Sequence, residues 1–164
     1  MRPAPETPLF GQESVWGFPR PAIAQPSLRH IMIVHHGIVV ADTRAAVRTI
    51  ETSHPPTYYF PPQDVRATLT PVRNAGSLCE WKGAATYFDV TVGAEMFPAT
   101  AWSYARPTPA FTSIAGYVAF YAAAFDRCSV DGEIVIPQPG GFYGGWITGD
   151  LAGPFKGVPG SRFW

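Results

Sequence analysis

Apolar side chains recur at every second position in one stretch of the chain, residues 84–92. Phe88, Val90 and Val92 would share one face of an extended segment, and the polar Asp89 and Thr91 would lie between them. A period of two predicts a strand that buries one of its faces. The middle of the sequence therefore contains at least one well-defined β-strand.

Two further stretches carry β-prone residues on both sides of a turn signal. Residues 30–41 are mostly apolar around the segment HHG at 35–37, and residues 128–136 are divided by the dipeptide DG at 131–132. Glycine and Asp-Gly supply the positive φ angles that tight hairpin turns need. Each stretch therefore predicts a β-hairpin.

The first of these hairpins places two histidines, His35 and His36, at its turn. Successive residues of a strand point to opposite faces. We therefore expect both side chains to face solvent and not to chelate one metal ion together. The sequence predicts no metal site.

The other apolar runs are short and bounded by proline or glycine. Residues 57–60 lie between two proline pairs, residues 101–104 stop before an Arg-Pro, and residues 117–125, apolar on both faces, predict a central strand. Residues 43–50 suit a helical turn or a strand equally, and residues 63–69 suit a single helical turn. About seven to eight short strands predict a small all-β fold of antiparallel sheets.

Composition narrows the class of protein further. The 164 residues include 18 Pro, 16 Gly, 5 Trp, 7 Tyr and 11 Phe, and 12 basic residues balance 12 acidic ones. This much proline and glycine excludes a helical bundle, and the aromatic content excludes a disordered chain. A neutral, charge-poor chain is not built for nucleic acid, and no apolar run is long enough for a membrane span. We therefore expect neither partner.

The proline and glycine residues are concentrated at the two ends. This distribution predicts a Pro-rich, extended N-terminal arm at 1–27, a β core domain at 28–136 and a Gly/aromatic-rich C-terminal arm at 137–164. Arms of this kind could exchange between two copies, which leaves a homodimer open. The N-terminus lacks the apolar stretch of a secretion signal, and Cys79 and Cys128 are typical of buried thiols, so we expect a cytoplasmic protein.

Four motifs resemble a known family. They are ETSHPPTYYFPP at 51–62, CEWKGAATY at 79–87, AWSY at 101–104 and GYVAFY at 116–121. In this order and spacing they resemble the bacterial and fungal family called domain of unknown function 427. The resemblance covers roughly residues 28–136. The tail PQPGGFYGGW at 137–146 is similar to a C-terminal extension of actinobacterial members.

The resemblance implies the β-tent fold, in which two antiparallel sheets pack together. Methionine sulfoxide reductases of the B type and glutathione-dependent formaldehyde-activating enzymes have similar folds and hold a structural zinc with two CxxC pairs. This chain has no CxxC pair, so we predict neither that zinc nor another cofactor. The family is also labelled nucleotidyltransferase-like, but the sequence has no phosphate-binding GxxxxGK loop.

Three residues of the motifs are candidates for catalysis. Burial of Glu51 beside an apolar strand could make it a general base, and Lys82 could stabilise an anion. His54, in a rigid loop before two prolines, could act as an acid–base group or a donor to the substrate. The alternatives are a structural ion pair for Glu51 and Lys82, and a backbone hydrogen bond for His54.

A larger set of polar-tipped side chains is suited to binding a ligand, although core packing is the alternative for each aromatic one. The predicted ligand-binding residues are Tyr58, Tyr59, Tyr87, Trp102, Tyr104, Gln138 and Trp146. Cys79 lies near Lys82 in sequence, which would lower the pKa of its thiol, while Glu80 would oppose that effect. We expect Cys79 to be an inert thiol.

These observations leave three functions open. The first is a small-molecule-binding β domain of unknown ligand, or an enzyme that uses Glu51 and Lys82 in an aromatic-lined pocket between the sheets. The second is a non-catalytic interaction module whose arms cover a partner or a second copy. The third and least favoured is a nucleotidyltransferase.

Overall fold

The protein is built almost entirely from short β-strands, which confirms the all-β class. The structure is a computed structural model that describes residues 1–79 and 81–164, with the side chains of 74 and 75 left out. Glu80, part of the second sequence motif, lies outside the described residues. Where the structure describes the chain, we find more strands than the seven or eight predicted, because several are only two or three residues long.

The strands and the short 3-10 helices follow one another along the chain without an α-helix among the described elements. The strands are β1 (Glu13–Ser14), β2 (Ile23–Pro26), β3 (Ile31–His35), β4 (Ile38–Thr43), β5 (Val47–Ile50), β6 (Thr57–Tyr59), β7 (Thr68–Cys79), β8 (Gly83–Val92), β9 (Glu95–Ser103), β10 (Val118–Phe120), β11 (Arg127–Val130), β12 (Glu133–Ile134), β13 (Ile136–Pro137), β14 (Trp146–Ile147) and β15 (Leu151–Ala152). The 3-10 helices are Val15–Gly17, Pro62–Asp64, Pro109–Ile114 and Ala122–Ala124. None of the described helices is long and apolar enough to cross a membrane.

Two sheets share an edge and together carry the site described below. One has the strand order β2-β5-β6, and the other has the order β10-β9-β8-β7, with antiparallel pairing throughout both. Phe60, next to β6, forms a β-bridge with Val118 of β10, with N–O distances of 2.7 and 2.9 Å. This bridge makes one continuous surface from the two sheets.

The other four-stranded sheet, β12-β11-β3-β4, encloses the main core against the opposite face of that joined surface. Ile31 and Ile33 of β3, Val130 of β11 and Phe120 of β10 are among its fully buried members. Burial of apolar surface is the main driving force for such packing, at about 25 cal/mol per Å². The joined sheet thus has one face committed to the core and one available for a site.

Both predicted hairpins are confirmed. The turn between β3 and β4 has φ of 47° at His36 and 74° at Gly37, and the turn between β11 and β12 has 49° at Asp131 and 84° at Gly132. Two successive positive φ angles match the type I′ turn, whose twist fits the twist of the flanking strands. The Gly and Asp-Gly signals therefore located these turns correctly.

The expectation that both hairpin histidines face solvent and point to opposite faces was wrong on both counts. The rings of His35 and His36 stack with their centroids 4.1 Å apart, and His35 is buried while the His36 side chain is 68% exposed. Opposite pointing holds only while the chain stays extended. The left-handed backbone at His36 ends the strand geometry and returns its side chain to the side of His35.

The apolar run 117–125 does not form one central strand. Only Val118–Phe120 is extended, at the end of its four-stranded sheet, and the chain then turns through the 3-10 helix Ala122–Ala124. Phe120 and Phe125 still pack into the same core cluster. A continuous apolar run shows burial but does not distinguish a long strand from a strand followed by a buried turn.

The two ends of the chain contact each other. The N-terminal segment contains strands as well as extended chain, since β1 pairs in parallel with β15 and β2 pairs with β5. Trp16 also donates a hydrogen bond from Nε1 to the carbonyl of Pro154 at 2.9 Å. The domain limits at 27 and 136 stay a prediction from composition.

Candidate functional site

A cavity of about 460 Å³ opens on the free face of the joined sheet. Thr49 of β5 and Tyr59 of β6 contribute from one half of the sheet, and Tyr87 of β8 and Trp102 of β9 contribute from the other. The register explains why these residues lie together, because Tyr87 is the direct partner of Trp102 in the β8–β9 ladder. Side chains two residues apart along a strand continue the same wall.

Eight of the ten predicted site residues surround this cavity. They are Glu51, His54, Tyr59, Lys82, Tyr87, Trp102, Tyr104 and Gln138. Strands β6, β8 and β9, the residue after β9, the loop after β5, the turn before β8 and the C-terminal segment bring them together, so their proximity is a product of the tertiary fold. Their catalytic and binding roles stay predictions.

Tyr58 and Trp146, the other two predicted site residues, lie in the main core. Tyr58 is adjacent to Tyr59 in β6 and therefore points to the opposite face of the sheet. The rings of Tyr58 and Trp146 pack with centroids 5.8 Å apart, and Trp146 donates from Nε1 to the carbonyl of Phe120 at 3.2 Å. Core packing, the alternative to ligand binding for each aromatic residue, is therefore the role of Tyr58 and Trp146.

Glu51 and His54 are held face to face by a tight turn. The backbone N–H of His54 donates to the carbonyl of Glu51 at 3.0 Å, and Ser53 has a φ of 72°. Nε2 of His54 then lies 3.5 Å from Oε2 of Glu51. Both side chains are largely buried: 13% of the His54 side chain and 24% of the Glu51 side chain are exposed. The turn thus presents a carboxylate and an imidazole to the cavity as a unit.

Gln138 fixes the tautomer of His54. Its Oε1 accepts from the backbone N–H of Gly145 at 3.0 Å, and its Nε2 donates to the carbonyl of Lys156 at 2.9 Å, so the amide can have only one orientation. The same Nε2 lies 3.0 Å from Nδ1 of His54 and must donate to it. The proton of the neutral ring is therefore on Nε2, which faces Glu51.

The site combines one buried carboxylate with several cations. Burial, followed by the charges of Lys156, Lys82 and Arg20, lowers the pKa of His54 to about 3, so the imidazole is neutral at physiological pH. Burial raises the pKa of Glu51, and Lys82, Arg20 and Lys156 act against this rise. Among the described residues that line the cavity, Glu51 is the sole carboxylate.

Both lysines of the chain line this cavity. The sequence contains ten arginines but only two lysines, Lys82 and Lys156. Lys82 lies in the turn before β8, with Nζ 5.7 Å from the ring centroid of Phe111, and Lys156 lies 5.6 Å from the ring centroid of Tyr143. Burial lowers the pKa of Lys156, and the charge of Glu51 opposes this shift. Two ammonium groups therefore approach one pocket from distant parts of the chain.

Polar groups also tip the aromatic wall. Trp102 donates from Nε1 to the hydroxyl of Tyr59 at 3.3 Å, and the hydroxyls of Ser77 and Tyr87 lie 3.0 Å apart. Burial raises the pKa of Tyr59 and raises that of Tyr121 to about 12, so these phenols stay protonated at neutral pH. The wall offers flat apolar surface with neutral hydrogen-bonding groups at its edges.

The comparison with known families agrees with the sequence motifs. Residues 23–131 match the family described as Domain of unknown function (DUF427), which also has the name NTP_transf_9. This match spans more than half of the chain. The protein belongs to the DUF427 family. A search of curated proteins found no match.

The DUF427 region supplies most of the cavity, and the segment that follows it closes the cavity. Glu51, His54 and Lys82 lie within residues 23–131, whereas Gln138 and Lys156 come from beyond its end. The site is therefore composite. Residues 23–131 form its floor, and the C-terminal segment 138–156 forms its cover.

Two glycines let the C-terminal cover approach its floor. A Cβ on Gly144 would overlap Cη2 of the Trp102 indole. A Cβ on Gly145 would lie 2.6 Å from the carbonyl oxygen of Pro55. Neither φ is positive, so the requirement for glycine here is close approach and not backbone conformation.

Sequence reasoning missed several residues of the site. Lys156 and Tyr143 come from the C-terminal segment, and Tyr121 follows β10 and donates to the carbonyl of Phe142 at 3.0 Å. The rarity of lysine was a usable signal for Lys156, because lysine is usually a common residue and this chain has only two. Tyr121 and Tyr143 lie in two of the quoted segments, GYVAFY and PQPGGFYGGW, but nothing local to either segment showed that these rings face the cavity.

The two cysteines lie in separate places. Cys79 lines the cavity, and Cys128 is buried in the main core, where burial raises the pKa of its thiol to about 12. Both are free thiols. The two thiols therefore do not belong to one site.

Proposed function

We propose that this DUF427 protein binds a small organic anion with a flat apolar body in the cavity, and that Glu51 acts on it as a general base while Lys82 stabilises its negative charge. The observation that carries the proposal is the convergence of both lysines, Glu51 and His54 on one aromatic-walled cavity. Buried titratable groups with opposing charges in a cleft are typical of functional sites.

The anionic character of the ligand follows from the charges. His54 is neutral, so the described lining carries two ammonium groups against one carboxylate. Aromatic side chains and the C-terminal segment border the cavity, and such low-polarity walls strengthen these interactions relative to bulk water. A carboxylate or phosphate group on the ligand would neutralise the excess positive charge.

The flat body follows from shape and surface. The rings of Tyr59, Tyr87 and Trp102 and the cover residues Phe142 and Tyr143 bound a space of about 460 Å³. Pockets for small molecules commonly measure about 300–1,000 Å³. Stacking and edge-on contacts favour planar groups between such rings.

The role of Glu51 follows from its environment. Burial raises the pKa of its carboxyl group above the ordinary value, which makes the carboxylate a better proton acceptor. The Nε2–H of His54, on one side of it, leaves its other oxygen lone pairs for the ligand. His54 thus orients the base and does not itself carry the charge.

The experiment is a melting-temperature and calorimetry screen of the full chain. Aromatic carboxylates are compared with their uncharged carboxamides, which have nearly the same shape. We expect carboxylates to raise the melting temperature in proportion to concentration and carboxamides to have little effect. Lys82→Gln and Lys156→Gln should each weaken binding by about tenfold or more, as the loss of a charged hydrogen-bond partner predicts.

Arg162→Gln is the matched control, because it removes one positive charge from an exposed position outside the cavity lining. Equal binding of acids and amides, or equal weakening by Arg162→Gln, would contradict an anion site. Magnesium nucleotides belong in the same screen. If magnesium nucleotides alone raised the melting temperature, a nucleotidyltransferase activity would be favoured over the binding of a small organic anion.

A further inference from the structure

A second cluster of chemically active side chains lies at the turn between β3 and β4, outside the cavity described above. It contains His35 and His36, with Asp126 on one side of the two rings and Glu95 on the other. We propose that His35, His36 and Asp126 bind a divalent transition-metal ion, and that Glu95 orients His35 for this purpose.

The three candidate ligands are at suitable separations. Nδ1 of His35 lies 3.6 Å from Oδ1 of Asp126, and Nε2 of His36 lies 3.7 Å from Oδ2 of the same carboxylate. In a tetrahedral site with bonds of about 2.0–2.1 Å, neighbouring ligand atoms are about 3.3–3.4 Å apart. The candidate ligand atoms of all three residues lie within 4.8 Å of one another, so the side chains must move closer together to share one ion.

The backbone holds this arrangement in place. The positive φ of His36 brings its ring over that of His35, and the backbone N–H of His36 donates to Oδ2 of Asp126 at 2.8 Å. The turn therefore pins the carboxylate beside the rings before any ion arrives.

The tautomer of His35 is the one that a metal ligand requires. The backbone N–H of Asp126 donates to Nδ1 of His35 at 3.2 Å, so this nitrogen carries a lone pair. Nε2 then carries the proton and donates to Oε2 of Glu95 at 2.8 Å. Metal-bound histidines commonly donate their other N–H to a carboxylate in this way. An ion at Nδ1 would replace the long hydrogen bond from Asp126.

The surroundings combine a rigid ring with an accessible one. His35 is buried, with its ring edge-on to Phe97 and Phe125 at centroid distances of 4.8 and 6.0 Å. His36 is mostly exposed, and half of the Asp126 side chain surface is accessible. An ion can therefore arrive from solvent at a site with one fixed nitrogen ligand.

The donor set indicates the class of metal. Two imidazole nitrogens and one carboxylate oxygen suit Zn²⁺, Co²⁺, Ni²⁺ or Cu²⁺, whereas Mg²⁺ and Ca²⁺ prefer oxygen ligands. Three protein ligands leave a position open to water. We therefore expect binding of Zn²⁺ and Co²⁺, and negligible binding of Mg²⁺.

The test is calorimetry with Zn²⁺ and visible absorption with Co²⁺, using the full chain without an affinity tag. We expect one ion per chain and Co²⁺ absorption bands typical of low coordination. His36→Asn and Asp126→Asn should each weaken binding at least tenfold, and Glu95→Gln should weaken it about 10- to 100-fold. Asparagine tolerates positive φ, so His36→Asn should preserve the turn.

His30→Gln is the matched control. His30 pairs with Asp42 at 2.7 Å, which makes a histidine–carboxylate pair away from this turn. Binding by His30→Gln that equals the unaltered protein supports the proposal. It would be overturned by the lack of one-to-one binding, by unchanged binding in His36→Asn and Asp126→Asn, or by an equal loss in His30→Gln. Circular dichroism of each variant distinguishes a lost ligand from a lost fold.

Discussion

Nε2 of Gln138 lies 3.0 Å from Nδ1 of His54 and links the C-terminal segment to the loop that carries the predicted base. The same amide also bonds to the backbone of Gly145 and Lys156. One side chain thus closes the cover and sets the proton position of the imidazole. Its three partners make its contribution to both stability and chemistry testable.

Replacing Gln138 should loosen the cover and let the imidazole proton of His54 occupy either ring nitrogen. In Gln138→Leu, the groups that bonded to the amide lose their partner, and each buried polar group left unpaired costs about 1–3 kcal/mol. We expect the free energy of unfolding to fall by about 2–4 kcal/mol in urea denaturation. Nitrogen NMR should show protonated Nε2 on His54 in the unaltered protein and a mixture of tautomers in the variant.

Gln63→Leu is the control for this change, because Gln63 is exposed in the 3-10 helix Pro62–Asp64. Its effect should be within about 0.5 kcal/mol. A Gln138→Leu protein as stable as this control, with His54 still protonated only on Nε2, would show that the amide does not hold the ring.

The stability of the protein should fall in acid because of His54. In the unfolded chain the imidazole gains a proton below about pH 6.5, whereas in the fold its pKa is about 3. The unfolded state therefore binds more protons between these values, and stability is lost as pH falls. In His54→Gln the slope of unfolding free energy against pH should decrease by up to about 1.4 kcal/mol per pH unit.

The measurement is urea denaturation between pH 4.5 and 7.0, performed in parallel on Glu51→Gln proteins with and without His54→Gln. The raised pKa of Glu51 acts in the opposite direction, since the folded state then holds its proton more tightly. Removing this carboxyl group isolates the histidine. Parallel slopes with and without His54 would mean that its imidazole titrates normally in the fold.

Removing Lys156 should change the titration of both neighbouring groups in the same direction. The positive charge of Lys156 lowers the pKa of His54 and of Glu51. In Lys156→Gln, the protonated forms of both groups become more favourable, and both pKa values should rise. Two-dimensional NMR titration of the imidazole and carboxyl signals measures both pKa values.

Arg162→Gln again serves for comparison, because it removes an exposed charge outside the cavity lining. It should change both titrations much less, since solvent and salt screen exposed charges. If Lys156→Gln had no larger effect than this control, the ammonium group would not act electrostatically on the cavity.

Gly144 should tolerate no side chain. In Gly144→Ala the new Cβ would overlap the indole of Trp102, so either the ring or the C-terminal cover must move. We expect a loss of about 1–3 kcal/mol in unfolding free energy, as for other overpacking changes. Fluorescence-detected urea denaturation follows this well, because Trp102 is itself at the point of conflict.

Gly17→Ala is the reference for glycine replacement, because a Cβ there meets no atom within 4 Å and its φ is not positive. It should be neutral or slightly stabilising. Similar stabilities for the two alanine variants would mean that the cover is not packed against Trp102 in solution.

Local sequence patterns determined the parts of this fold that depend on neighbouring residues. The alternation at 84–92 predicted β8, and the HHG and DG signals located two hairpin turns. Adjacent Tyr58 and Tyr59 had to point to opposite faces of any strand, but the sequence could not say which face carries the site. Glu51, His54 and Lys82 were found because they are charged or titratable residues within family-type motifs.

Tertiary structure decided the rest, because the remaining relations join distant residues. Lys156 reaches Glu51 only through the fold of the C-terminal segment, and Gln138 reaches His54 by the same route. The stacking of His35 on His36 is an exception, because it joins neighbours and depends on one left-handed residue that a strand pattern does not reveal. By itself, the sequence determined an all-β chain with a charge-poor, aromatic composition. The tertiary structure brought its only two lysines to one cavity, because contacts between residues far apart in sequence leave no periodic signal.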